Sequence, residues 1–111
     1  MFVRRDLPLP QQAVQACHAC IEMARDLLPP PDEHPHLVLC GVKSEQQLAA
    51  VADRLRRLNV AFRSFRDADW DGQLTAVATA PLRGPIRRQL RRYQCLRGEP
   101  QPPHQWPAGN V

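Results

Sequence analysis

A chain of 111 residues with 43% apolar content suits one domain built on a single core of ordinary size. No stretch is apolar for the roughly 18 residues a membrane helix needs, and the N-terminus lacks the apolar region of a signal peptide, so a cytoplasmic protein with reduced thiols is expected. The net charge of +4 is carried almost wholly by arginine, with Lys43 the single lysine. Arginine suits bidentate phosphate contacts and stacking on bases, so the balance favours an anionic partner, although a biased genomic composition would produce the same excess.

Phe2–Arg5 reads as a short strand ended by Asp6-Leu7-Pro8. Pro10 fits the first turn of a helix, where its missing N–H costs nothing. From Gln11 to about Leu28, residues Val14, Cys17, Ile21, Ala24 and Leu28 recur at spacings of three and four. That spacing predicts an amphipathic helix resting on this stripe, stopped by Pro29-Pro30-Pro31. His36–Val42 is a nearly continuous apolar run, the pattern of a strand buried on both faces. Ser44 followed by Gln47 has the form of a capping box. Leu48, Val51, Ala52 and Leu55 then give a second helix its buried stripe, ending near Asn59.

Val60–Arg66 alternates in polarity and predicts a third strand. The acidic turn Asp67-Ala68-Asp69-Trp70-Asp71-Gly72 leads into a fourth, Leu74–Ala80, closed by Pro81. A third helix from Pro85 to about Cys95 would hold Ile86, Leu90 and Tyr93 on one side. Residues 98–111 carry four prolines, two glycines and no periodicity, so the expected organisation is one domain over residues 1–97 and a mobile proline-rich tail over 98–111.

The order β-α-β-α-β-β predicts an α/β fold: a mixed four-stranded sheet covered by helices as three α/β/α layers, with the first three strands parallel and the fourth antiparallel. Ligands in such sheets sit beyond the carboxyl ends of the parallel strands. The loop from Asp6 to Gln11, the acidic turn and Thr75 at the start of the fourth strand would therefore meet at one rim.

Those residues carry a resemblance. Arg5-Asp6-Leu7 followed by Gln11-Gln12-Ala13-Val14-Gln15-Ala16-Cys17-His18-Ala19 is similar to the opening of the type 2 peptidyl-tRNA hydrolases. Phe65-Arg66-Asp67-Ala68 and Thr75-Ala76-Val77 resemble that family's aspartate loop and the threonine opening its last strand. The similarity spans about Phe2 to Pro81. It implies hydrolysis of the ester between peptide and tRNA, with no required cofactor or metal and with tRNA as partner; it leaves a homodimer open. Asp67 would match the catalytic aspartate and Thr75 the strand-four threonine, while Gln11 stands where the family has a functional lysine. Asp69 replaces a glycine of the family's loop. Glutamine can donate a hydrogen bond but brings no charge to a phosphate or developing oxyanion. The resemblance thus implies either a hydrolase or a catalytically degraded relative that binds RNA or protein. Arg4, Arg5 and Arg66 flank the rim and could supply charge, with His18 a candidate tRNA contact or a packed histidine.

Other motifs compete for the same residues. Asp67-x-Asp69-x-Asp71-Gly72 begins like a calcium loop, but the twelfth position is Ala78 rather than a bidentate glutamate, so a solvated acidic turn is the plainer reading, with a loosely held Mg²⁺ as its rival. Cys17-x-x-Cys20 lies about two turns into its helix, too far from the N-terminus to gain thiolate character, and Cys40 and Cys95 add no second paired spacing for zinc. Buried, inert cysteines are expected. Arg87, Arg88, Arg91 and Arg92 form like-charge i,i+4 pairs that phosphate would relieve, and so are candidate nucleic-acid contacts.

Overall fold

The computed structural model describes residues 1–28 and 36–96. Its elements are β1 (Phe2–Arg4), α1 (Leu9–Leu27), β2 (Cys40–Val42), α2 (Glu45–Arg57), β3 (Phe62–Asp67), a 3₁₀ turn (Ala68–Trp70), β4 (Gln73–Thr79) and α3 (Ile86–Gln89). The proline stop at residues 29–31 and the tail over 98–111 lie outside the described residues.

The sheet is mixed, in the order β2-β1-β4-β3. β1 and β2 pair in parallel, and β4 pairs antiparallel with both β1 and β3. β1, β2 and β3 thus run in one direction and β4 in the other, but the three do not form a continuous parallel run followed by β4: β4 inserts between β1 and β3. Its composition explains the position. Leu74 to Ala78 are all buried, so β4 is the strand that must be covered on both faces, and the centre of the sheet covers it. β2 takes an edge instead and shrinks to three residues, leaving Leu37 and Val38 exposed. The continuous apolar run predicted a longer buried strand, but β1 offers only Phe2–Arg4 to pair with.

Helices cover the two faces. Leu48, Val51 and Leu55 of α2 pack on Phe2, Val42, Leu74 and Val77, joined by Leu82, Ile86, Leu90 and Tyr93. Ala19 and Met23 of α1 pack on Val3, Ala76 and Ala78. α2 follows its predicted stripe. Ser44 Oγ accepts from the Gln47 N–H at 3.2 Å, while Gln47 Oε1 reaches back to the Lys43 N–H at 3.0 Å. Asn59, in the left-handed region (φ 58°), ends it.

α1 does not follow its predicted stripe. Gln12, Gln15, Ala16, Ala19 and Met23 are buried, whereas Val14 and Ile21 are exposed. The sheet beneath presents Thr75, Ala76 and Ala78, so the helix approaches on its small residues and places an amide against the threonine. α3 is also shorter than predicted. Four residues of helix give way to turns, as the Arg87/Arg91 and Arg88/Arg92 repulsions and the lack of an acid would favour. The chain then runs alongside β2, where Cys95 forms a bridge with Cys40.

Candidate active site

The site is built around an irregularity in β4. Phe65 pairs with Ala76 but Arg66 pairs with Leu74, leaving Thr75 as the extra residue of a β-bulge. The bulge breaks the alternation of the strand. Leu74 and Val77 pack towards α2, Ala76 and Ala78 towards α1, and Thr75 joins Ala76 on the α1 side. Two polar side chains support it from opposite ends. The Leu74 N–H donates to Glu45 Oε2 at 2.6 Å, and the Leu74 carbonyl accepts from Arg4 Nη1 at 3.2 Å.

Thr75 is fully buried and its Oγ1 donates to Gln15 Oε1 at 2.7 Å, with the Phe65 carbonyl a second acceptor at 3.2 Å. Gln15, also fully buried, donates from Nε2 to Asp67 Oδ2 at 2.6 Å. The same nitrogen lies 3.4 Å from Gln11 Oε1, a weak contact. Gln11, Asp67 and Thr75, predicted to meet at one rim, are thus brought together, and the group that joins them is Gln15. Its position in the Gln-x-x-His-Ala element was visible in the sequence; its burial was not, because the apolar stripe placed that helix face outward.

Asp67 sits at the mouth of the network. Its Oδ1 accepts from the Asp69 N–H at 2.8 Å, which starts the 3₁₀ turn. The Gln15 amide first, then the Asp69 N–H, hold its carboxyl below the usual carboxylate value, and the nearby His18 adds to this. The turn closes through Asp71 and Gly72, both in the left-handed region (φ 55° and 70°). Both Asp67 oxygens are thereby engaged with protein donors, and among the described residues no group of three or more His, Cys, Asp or Glu gathers as a metal site. His18 is exposed and lies flat on Phe65, with ring centroids 4.5 Å apart and planes 8° from parallel.

The family model described as peptidyl-tRNA hydrolase PTH2 matches residues 1–89. The chain belongs to that family. Neither the curated proteins nor the solved structures searched gave a match. Membership makes the protein peptidyl-tRNA hydrolase-like and implies a peptidyl-tRNA substrate. No described helix is long and apolar enough to cross a membrane.

Within this hydrolase-like frame the arginines divide by what they touch. Arg4 is buried, at 7% exposure; Nε and Nη2 grip Asp6 at 2.9 and 2.7 Å, and Nη1 also donates to Gln73 Oε1 at 2.8 Å. Asp6 raises the Arg4 guanidinium pKa, and Arg4 in turn lowers that of the Asp6 carboxyl. Such a saturated side chain, expected as an RNA contact, has little hydrogen-bonding capacity left for one. Its role is to hold the bulge. Arg66 is exposed with one long bond to the Gly72 carbonyl, at 3.3 Å. Arg87, Arg88 and Arg91 line a shallow cavity of about 480 Å³.

Arg5 belongs to a separate feature on the α2 face. With Lys43, Arg54, Arg57, Arg92 and Tyr93 it lines an open groove of about 710 Å³ whose lining includes no acidic residue among the described residues. Gly41 makes room for it: a Cβ there would stand 2.7 Å from Arg5 Cγ and 2.8 Å from Leu96 Cδ1. Arg54 and Arg92 approach the Tyr93 ring at 5.9 and 5.4 Å, and Arg54 Nη1 is buried without a hydrogen-bond partner among the described residues. This groove was not anticipated, since its cations come from four separate segments. The cysteine expectation also fails: Cys17 and Cys95 are exposed and Cys20 is partly so, leaving Cys40 as the buried one.

Proposed function

We propose that this protein hydrolyses the ester of peptidyl-tRNA at the rim formed by Gln11, Gln15, Asp67 and Thr75. The observation that carries the reading is the chain of bonds from the Thr75 hydroxyl through the Gln15 amide to the Asp67 carboxylate. It fixes an ionised, part-exposed carboxylate at the mouth of the site, each of whose oxygens can accept a further hydrogen bond. A carboxylate of lowered pKa is a weak base, so Asp67 orients the attacking water and offsets the positive charge that develops on it rather than holding its proton at rest. Gln11, half-buried at the edge of the network, donates a hydrogen bond to the carbonyl oxygen as it becomes an oxyanion. Thr75 and Gln15 are positioning residues: they hold Asp67 and do not touch substrate.

The tRNA is held elsewhere. His18 offers its outer face for stacking on a terminal base, Arg66 lies beside Asp67 on the same strand, and the groove around Arg5, Lys43 and Arg57 suits the phosphate backbone. Arg87, Arg88, Arg91 and Arg92 extend that basic surface. A second reading, a relative that binds RNA without turnover, is favoured by one residue, the uncharged Gln11. Peptide release by excess protein over a single turnover, with Gln11→Lys beside the wild type, separates them. A hydrolase releases peptide and gains rate with the lysine; a binding module releases none in either form.

A further inference from the structure

Cys40 opens β2 at the edge of the sheet, and the chain after α3 returns to lie against it. The Gly41 N–H donates to the Gln94 carbonyl at 3.1 Å and the Leu96 N–H to the Leu39 carbonyl at 2.7 Å. These two bonds flank Cys40 and Cys95, which are therefore directly opposed as the non-hydrogen-bonded pair of an antiparallel ladder. In such pairs the Cα atoms stand about 4.5 Å apart with side chains close, inside the roughly 4.4–6.8 Å that a disulfide spans. Cys17 and Cys20, three apart on α1, have no such cross-strand arrangement.

We propose that Cys40 and Cys95 are a modification site: a two-electron thiol oxidant such as hydrogen peroxide converts them to an intrachain disulfide that fastens the segment after α3 to β2. Burial pushes the Cys40 thiol up, so the exposed Cys95 reacts first. Its thiolate attacks a peroxide oxygen, the O–O bond breaks, and the departing hydroxide takes a proton as water, leaving a sulfenic acid. The Cys40 sulfur then attacks the Cys95 sulfur. The S–S bond forms, the S–O bond breaks, and the second oxygen leaves as water with the Cys40 proton. Two thiols have lost two electrons to one peroxide. A dithiol reductant reverses the step by exchange.

The consequence lies in the groove. Arg92, Tyr93 and Gln94, immediately before Cys95, line it together with Lys43, between β2 and α2, and Gln47 and Arg57 of α2. The crosslink pins that segment and covers the edge strand. It stands on the backbone geometry alone and does not depend on the RNA reading of the groove.

The full chain should be treated with hydrogen peroxide, blocked with an alkylating agent and mapped by peptide mass spectrometry without reduction. The expected product is monomeric, with Cys40 linked to Cys95 and with Cys17 and Cys20 alkylated. Its melting temperature should rise by on the order of 10 °C and return on adding dithiothreitol. Cys95→Ser, at an exposed position, should abolish both the link and the rise, whereas Cys17→Ser should leave both. Cys40 and Cys95 recovered as separately alkylated or over-oxidised thiols would overturn the proposal, as would crosslinks confined to Cys17, Cys20 or pairs of chains.

Discussion

Replacing Gln15 by methionine tests the network at its centre, because methionine keeps the length and volume of the side chain and removes both of its hydrogen-bonding atoms. Thr75 would fall back on the Phe65 carbonyl, already 3.2 Å away, so no buried hydroxyl is stranded. The buried neutral Thr75–Gln15 hydrogen bond then costs about 1 kcal/mol, which in a domain of this size lowers the melting temperature by about 5 °C, and the Gln15–Asp67 bond is lost with it. The sharper effect is on Asp67. Its depressed pKa owes most to the Gln15 amide, so in the variant it should rise towards the ordinary value of about 3.9. A group depressed in the folded state contributes stability above its unfolded pKa and loses it as pH falls through the folded value. The stability gap between wild type and Gln15→Met should therefore be full at neutral pH and narrow below about pH 4. With Asp67 no longer anchored, peptide release should fall roughly 10-fold to 100-fold. A carbon-detected NMR titration of the Asp67 carboxyl, melts against pH and single-turnover release make the three measurements. An Asp67 titration that does not move, with release unchanged, would refute the coupling.

Two further outcomes follow from the division of the arginines. Arg4→Met should cost about 2 kcal/mol in urea unfolding, chiefly from the buried Leu74 and part-buried Gln73 acceptors since Asp6 is partly solvated, and should leave tRNA affinity per folded molecule unchanged. Lys43→Gln with Arg57→Gln should instead leave stability within about 0.5 kcal/mol and weaken tRNA binding. The slope of log affinity against log salt should fall by about one for each cation removed.

The legible parts of the sequence were those set by local chemistry. Ser44 and Gln47 announce the start of α2, and Leu48, Val51, Ala52 and Leu55 name its buried face, because there hydrophobic periodicity and packing agree. On α1 they disagree. Val14, Cys17 and Ile21 form the more apolar stripe, yet the sheet surface they would meet is made of alanine and threonine, and Ala16, Ala19 and Gln15 fit it better. The place of β4 depends on which strand most needs covering, a comparison between distant segments. The bulge at Thr75 has no marker in its own sequence and is read only from the register with β3. Gln11, Asp67 and Thr75 could thus be brought to one rim by the order of the elements, while Gln15, which joins them, could not.

If Asp67 acts on the ester and is not merely a turn residue, its carboxylate is indispensable for peptide release but not for tRNA binding. Single-turnover peptide release should be compared for wild type and Asp67→Asn, with tRNA affinity measured on the same preparations. Release by the wild type, its loss in Asp67→Asn, and unchanged affinity for tRNA in both are expected. Release by Asp67→Asn at the wild-type rate, or no release by a wild type that binds tRNA, would contradict that role.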